Sequence, residues 1–454
     1  MADTHDGTPQ NDATGPGAAA PQSAAQSAPQ SAPEPAPMSA AHAAAHDALL
    51  DVALSAGGQL DRQACAVLSG LAAQFGKSAE IYAVNLQISA APARAEQMRQ
   101  ETGDTAGSRA DGALPASQAI VSVVEAMTAD DPQVEAHIRE ARALAAWNHF
   151  PRPCLAACNG ASAGEGDVVL TGGALAAMLL STHQMLTPGC KLAWLEVSSG
   201  RLPSAGSIIA LARMAPDPLE RVNPARATND ARLGFRPIDP RPHPFGVYLA
   251  LTGAPLSAHD AHRCGLVGDL CANNEDLETV RSALQHGHPI DPVLAQVALT
   301  GDPVGSTDDP AKGVASNAAN EPARDLSLDQ RLAATAQIFA SADFDAIMLR
   351  AAGALEARDA FAQTVGWTDP EVRATGLSWL RETHSALVKA DKVIARATLA
   401  AMHATPTGLD VRRHNFLLGF GAWVAVNATA LRTCDAATMQ DAIQQAVFDA
   451  LSLA

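Results

Sequence analysis

The sequence predicts an α/β core followed by a mainly helical C-terminal part. Two observations predict this fold class: helix and strand patterns alternate through roughly residues 46 to 295, and no strand pattern appears after residue 327. The chain has 454 residues, too many for one compact core. We therefore expect one large domain, a smaller second part and flexible segments between them.

Apolar residues spaced as on one face of a helix alternate with short apolar runs bounded by turn residues. The first pattern predicts helices and the second predicts buried strands. The predicted order is a helix over Leu60–Phe75, a strand over Glu80–Ile88, a helix over Gln133–Trp147, strands over Pro153–Cys158 and Leu192–Glu196, and a helix over Ser257–Cys264 that ends at Gly265. Such alternation indicates crossover connections between strands.

Composition divides the chain further. Residues 1–45 consist mainly of Ala, Pro, Gln, Ser and Gly, which cannot bury enough apolar surface to order a fold, so they are predicted to form a disordered tail. Residues 46–295 are the predicted core, with a polar, Pro-rich surface insertion at 215–244. A second polar stretch marks a flexible linker at 296–326, and residues 327–454 form the predicted helical region.

Charge and cysteine content exclude several classes of function. The formal net charge of −17 opposes binding to nucleic acid and to anionic membranes. No run of apolar residues is long enough for a membrane span, and no basic signal or presequence precedes Arg62. Seven cysteines without a regular spacing argue against a disulfide framework, so a cytoplasmic location is expected.

The most informative segment runs from residue 151 to residue 206. The strand predicted at Pro153–Cys158 leads into an Asn-Gly turn and then into a loop that contains Gly164, Glu165 and Gly166. The next predicted strand ends on Glu196. This order suits a site that holds a carbonyl oxygen with backbone N–H groups and brings a carboxylate to it.

Three segments, PCLAACNGASAGEG, LAWLEVSSGRLPSAG and FGVYLALTGAPLSAHDAHRCGLVGDL, resemble successive signatures of the crotonase (enoyl-CoA hydratase/isomerase) superfamily. Within it the chain is most similar to the 3-hydroxyisobutyryl-CoA hydrolase branch. The octapeptide GVYLALTG at 246–253 is the most specific piece. The segment SALVK at 385–389, followed by Arg396, resembles a helix that this branch has near its C-terminus.

The resemblance implies a spiral of ββα units, C-terminal helices over the site, and trimers or hexamers. It also implies an acyl-CoA substrate, with no cofactor because coenzyme A is part of that substrate. Glu196 and Ser204 match the positions of catalytic residues, and Glu140 matches a residue that contacts the substrate. The amides of Glu165 and Gly166 would bind the thioester oxygen.

Two departures keep alternatives open. Glu165 replaces the middle glycine of the loop, and Ser204 stands where the branch has an aspartate. The first hypothesis is a hydrolase of a short branched hydroxyacyl-CoA, of the 3-hydroxyisobutyryl-CoA type. The second is a catalytically impaired binding or assembly subunit, and the third is an enoyl-CoA hydratase or isomerase. From the residues alone, Glu196 could also be an exposed strand end and Glu140 an exposed helix position.

No metal site is expected. His259, His262 and Cys264 are three candidate ligands without a fourth at metal spacing, so a solvated helix surface is the better interpretation of them.

Overall fold

The computed structural model describes residues 41–46, 48–56, 59–75, 81–90, 120–160, 167–212, 214, 241–299, 326–404 and 411–453. All of them belong to one unit of the chain, Ser39–Ala454. The strands in this part are β1 (Ala41–His46), β2 (Leu49–Ala56), β3 (Ala83–Ala90), β4 (Cys154–Cys158), β5 (Val168–Leu170), β6 (His183–Leu186), β7 (Cys190–Leu192), β8 (Leu256–Ser257) and β9 (Asp269–Leu270).

The strands form two sheets. The larger sheet has the order β1-β2-β3-β4-β6-β9, in which only the β1–β2 pair is antiparallel. The smaller sheet has the order β5-β7-β8, with β5 and β7 parallel. All five residues of β4 are buried, as expected for a central parallel strand covered on both faces.

Nine helices lie in the described part of the chain before residue 300. They are α1 (Arg62–Phe75), α2 (Val123–Met127), α3 (Pro132–Asn148), α4 (Gly172–Leu180), α5 (Ala205–Ala212), α6 (Pro244–Thr252), α7 (Ala258–Arg263), α8 (Asn274–Gln285) and α9 (Ile290–Val297).

The described residues from 326 onward contain helices and no strand. The helices are α10 (Leu328–Ile338), α11 (Phe344–Glu356), α12 (Arg358–Thr364), α13 (Pro370–Lys389), α14 (Lys392–Ala404), α15 (Val411–Leu431) and α16 (Ala436–Leu453). The predicted class, an α/β core with a mainly helical C-terminal part, is confirmed. None of the helices in the described ranges is long and apolar enough to cross a membrane.

Local sequence explains where the helix that carries Glu140 begins. Asp131 precedes α3 and accepts hydrogen bonds from the N–H groups of Gln133 and Val134, while Pro132 occupies the first helical position. Both features favour a helix start, because Asp satisfies free N–H groups and Pro has none to lose. The helix predicted over Gln133–Trp147 is thus confirmed.

The strand predicted over Leu192–Glu196 is wrong in its extent. β7 ends at Leu192, because its partners β5 and β8 offer no pairing residue beyond Leu170 and Leu256. Without a ladder the chain turns at Glu196, where the N–H groups of Ser199 and Arg201 donate to the Glu196 carbonyl. Glu196 therefore lies in a turn and not at a strand end.

The first described residues also differ from the prediction. β1 pairs with β2 within the last residues of the predicted tail of 1–45. Its Ala-rich composition gives no strand signal, and the edge of an existing sheet provides the pairing partner. The 215–244 insertion lies outside the described residues except for 241–244, and the 296–326 linker except for 296–299 and Leu326.

GVYLALTG forms most of α6 and joins the core to the C-terminal helices. Tyr248 packs against Phe339 and Trp379, and the Trp379 indole N–H donates to the Tyr248 hydroxyl at 3.0 Å. Gly246 faces α5: a Cβ there would overlap the Leu211 carbonyl oxygen. The motif thus sets the distance between two buried helices.

We predict that Gly246→Ala lowers the free energy of unfolding by about 1–3 kcal/mol, because the new methyl group meets backbone that cannot rotate away. Urea denaturation measures the change. Gly353→Ala in α11 is the matched control, since no heavy atom lies within 4 Å of the added Cβ. That variant should gain about 0.5–1 kcal/mol from helix propensity, and equal losses in both variants would contradict the packing role.

Candidate active site

Glu140 is a buried carboxylate on the inner face of α3. Only 7% of its surface is exposed, which excludes the exposed helix position that the sequence left open. The carboxylate accepts hydrogen bonds from the Gln59 side chain and the Leu60 backbone N–H. Two residues that precede α1 therefore hold it in place.

Glu196 is buried at the start of the turn that follows β7. It is 6% exposed, and neither carboxylate oxygen has a hydrogen-bond partner among the described residues. Its backbone carbonyl, in contrast, accepts from the N–H groups of Ser199 and Arg201 and from the Ser199 hydroxyl. The turn is well fixed while the carboxylate stays unpaired, an arrangement expected of a functional group and costly for a structural one.

Burial changes the acidity of both groups. It raises the pKa of Glu196 to about 7, against smaller opposing effects of its own backbone N–H and the positive charge of Arg201. The pKa of Glu140 also rises to about 7, first through burial and then through the negative charge of Glu196. Hydrogen bonds from Gln59 and Leu60, and Arg201, oppose that rise. Near neutral pH the two carboxyls can both donate and accept protons.

The N-terminus of α4 lies directly beside the Glu140 carboxylate. A Cβ on Gly173 would overlap Glu140 Oε1 and approach Leu60, so only glycine permits this contact. Gly172 starts the helix with φ of 60°, and Thr171 before it makes no side-chain cap hydrogen bond. Backbone N–H groups at such a helix start carry partial positive charge.

The packing of α3 on α4 fixes this geometry. Further along α3, the Trp147 indole N–H donates to the Ala177 carbonyl at 2.9 Å and lies 3.1 Å from the Ser181 hydroxyl. Because β5 ends at Leu170, the two glycines become the first two residues of α4 at this position. The site therefore combines two protonatable carboxyls with the start of a helix.

Ser204 lies just before α5 and serves that helix start. Its hydroxyl donates to the Ser207 hydroxyl at 3.1 Å, and its carbonyl accepts from the Ile208 N–H at 3.0 Å. The loop of Gly164, Glu165 and Gly166 lies outside the described residues. Of the five predicted site residues, the structure thus brings Glu140 and Glu196 together.

Gly172 and Gly173 were not among the site residues predicted from the sequence. Their signal was present: a Thr-Gly-Gly triplet follows a short apolar strand and precedes the apolar run ALAAMLL. A glycine pair at such a strand-to-helix junction indicates close approach of another group to the backbone.

His262 of α7 contributes to local structure. His262 Nδ1 lies 3.3 Å from the Val267 carbonyl, so this ring spans the turn that follows the helix. Within the described ranges no three His, Cys, Asp or Glu side chains are grouped to hold a metal ion.

With two sheets, covering helices and a buried carboxylate pair in place, the comparisons with known proteins identify the family. Residues 104–411 match the family model described as enoyl-CoA hydratase/isomerase. This chain belongs to the enoyl-CoA hydratase/isomerase family, within the crotonase superfamily. No curated protein matches the chain.

The chain is also similar to solved structures. A carnitinyl-CoA dehydratase from Mycobacterium thermoresistibile is similar, with 16% identity, a TM-score of 0.52, and coverage of 90% of this chain and 96% of that chain. An enoyl-CoA hydratase from Rhodobacter sphaeroides 2.4.1 also matches, with 16% identity, a TM-score of 0.48, and coverage of 91% and 97%. Together with the family match, the first of these structures confirms the predicted crotonase-like fold.

The carboxyl pair predicts a pH dependence of stability. Both pKa values lie above the ordinary value of 4.5, so the folded state favours the protonated forms. Their stabilising effect is complete below about pH 4.5 and is lost as the pH rises through about 7. We expect Glu196→Gln to gain stability relative to the wild type over this range, by a few kcal/mol, in urea denaturation at a series of pH values.

The exposed variant Glu356→Gln is the control and should follow the wild-type pH profile. A difference between Glu196→Gln and the wild type that stays constant from about pH 4.5 to about pH 8 would show that Glu196 titrates normally.

Proposed function

We propose that this protein hydrolyses the thioester of a short, branched hydroxyacyl-CoA, of the 3-hydroxyisobutyryl-CoA type. The observation that supports the proposal best is the buried pair of Glu140 and Glu196, each with a pKa raised to about 7. A carboxylate with this pKa is matched to proton transfer near neutral pH. The resemblance of GVYLALTG and SALVK to the hydrolase branch supports the choice of reaction.

In the proposed reaction Glu196 is the base or nucleophile. Its two oxygens lack hydrogen-bond partners among the described residues, so they are available to a water molecule or to the thioester carbon. Glu140 holds the substrate hydroxyl, and its hydrogen bonds to Gln59 and Leu60 fix its direction. Each group thus has one role, set by the partners that it has or lacks.

The developing negative charge on the thioester oxygen needs N–H donors. We propose that the start of α4, at Gly172 and Gly173, contributes to this stabilisation, because it is uncapped by Thr171 and adjoins Glu140. The chain has a net charge of −17, so binding of a polyanionic acyl carrier also needs local positive charge. Arg201 supplies such a charge, because it opposes the rise in the pKa of both Glu140 and Glu196. No cofactor is required, since coenzyme A belongs to the substrate.

A second candidate is hydration or dehydration of an enoyl-CoA. This reaction adds or removes water across a double bond and needs one base and one acid, which two carboxyls of similar pKa supply. Ser204, whose hydroxyl donates to Ser207, provides no third carboxylate of the kind that the hydrolase branch has. The similar structures named above are a dehydratase and a hydratase.

The decisive experiment compares both reactions on one panel of short acyl-CoAs. We expect release of free CoA thiol from 3-hydroxyisobutyryl-CoA and a loss of about 100-fold or more in kcat for Glu196→Gln. Consumption of the enoyl absorbance without thiol release would assign the second candidate.

Turnover that is unchanged in Glu196→Gln would refute the catalytic assignment. Binding of CoA thioesters with no turnover by the wild type would identify a catalytically impaired binding or assembly subunit, the remaining alternative from the sequence. Glu356→Gln makes the same change of charge and size at an exposed position of α11, so it is the matched activity control.

Gly173→Ala tests the role of the α4 start. The added methyl group would displace the Glu140 carboxylate and crowd the first N–H groups of the helix, so kcat should fall by about 10-fold or more while the fold is retained. Gly70→Ala in α1 is the control, because no heavy atom lies within 4 Å of its new Cβ. Equal activity of the two variants would exclude the start of α4 from the reaction.

A further inference from the structure

A cavity of about 550 Å³ lies among the C-terminal helices, behind the turn that carries Glu196. Its charged lining residues are Asp345, Asp391, Lys392, Arg396 and Arg432. Basic side chains outnumber acidic ones here, although the whole chain is strongly acidic. Val393, Cys434, Ala436 and Met439 complete the lining.

Arg396 is the unusual member of this lining. It is 7% exposed, and its Nη2 pairs with Asp345, but its Nη1 donates to the Met439 thioether sulfur at 3.2 Å. A thioether is a weak acceptor, so one N–H group of a buried guanidinium has a poor partner. Such a group gains considerably from an anionic acceptor that enters the cavity.

Arg432 and Asp391 form a second pair at the same cavity. Arg432 Nε and Nη2 both donate to Asp391 Oδ2, while Asp391 Oδ1 accepts from the first N–H groups of α14. Asp391 thus holds Arg432 in place, while the Arg432 side chain is still 32% exposed. Lys392 is exposed beside it.

This pair touches the turn of the candidate active site. A Cβ on Gly200 would lie 3.6 Å from Asp391 Oδ2 and 3.7 Å from Arg432 Nη2, so the backbone of Gly200 is separated from both side chains by the space of a single methyl group. Gly200 ends the turn that starts at Glu196 and donates its N–H to the Val197 carbonyl at 3.1 Å. A ligand bound at the ion pair would therefore lie next to the backbone that positions Glu196.

We propose that this cavity binds a small monocarboxylate with an apolar chain, and that binding there stabilises the turn from Glu196 to Gly200. The single excess positive charge favours a monoanion over a dianion, since a dianion would leave uncompensated charge near Asp345 and Asp391. Arginine donors match the planar geometry of a carboxylate. Val393 and Met439 provide the apolar contact for the chain of the ligand.

Isothermal titration calorimetry of the full chain with isobutyrate, with its neutral isostere isobutyramide and with inorganic phosphate tests the proposal. We expect isobutyrate to bind, isobutyramide to give no binding heat, and phosphate to bind more weakly than isobutyrate. Arg432→Gln and Lys392→Gln should each weaken isobutyrate binding by about tenfold. Because Lys392 is exposed, its variant retains the fold even if loss of the Asp391 pair disturbs Arg432→Gln.

Two further variants separate this site from the active site. Arg373→Gln, which removes an ion pair with Asp359 outside the cavity, should bind isobutyrate like the wild type. Glu196→Gln should bind it as well, so loss of binding in that variant alone would place the ligand in the active site and overturn the proposal. Absence of isobutyrate binding, equal binding of the amide, or tighter binding of phosphate would overturn it too.

Hydrogen–deuterium exchange tests the link to the turn. Isobutyrate should slow amide exchange in the peptide that spans residues 196–201 of the wild type but not in that of Lys392→Gln. Unchanged exchange in the wild-type peptide would overturn the stabilisation of the turn. Neither measurement depends on turnover, so failure of the proposed function leaves this test intact.

Discussion

The burial of two carboxyl groups, of which Glu140 lies against the start of α4, is the constraint on which the arrangement of this protein depends. Glu140 and Glu196 come from elements far apart in sequence, and the burial that raises the pKa of each to about 7 also destabilises their charged forms. The surrounding fold must offset that cost. It does so through a core that packs α3 on α4 and admits the Glu140 carboxylate only because residue 173 is glycine.

The C-terminal helices complete this arrangement from the other side. α6, with Tyr248, anchors Phe339 and Trp379, and the Asp391–Arg432 pair packs behind Gly200. The turn of Glu196 is thus fixed by its own hydrogen bonds and lies next to an ion pair of the C-terminal helices. The helical region therefore adjoins the candidate active site, and it belongs to the same unit as the sheets.

Much of this could be predicted from the sequence, and the failures have physical causes. Periodicity identified α1, α3 and β4, and the signatures led to Glu140 and Glu196. The end of β7 could not be read from its residues, because LAWLE is as apolar as a strand and only the lengths of β5 and β8 stop the ladder. Likewise β1 has no strand composition and exists through its pairing with β2.

Gly172 and Gly173, which were not among the predicted site residues, change what the departures from the family pattern imply for activity. Glu165 counts against activity only if the loop at 164–166 supplies the N–H donor to the thioester oxygen. In that case the Glu165 carboxylate would oppose the negative charge that develops on this oxygen. Under the proposed function the start of α4 contributes this donor, and Glu165 need not be part of the oxyanion site. The doubt raised by Ser204 stays, because its hydroxyl donates to Ser207 and cannot replace a fixed anion. A reaction that needs only one acid and one base therefore makes the smaller demand on this site, because the carboxyl pair supplies both.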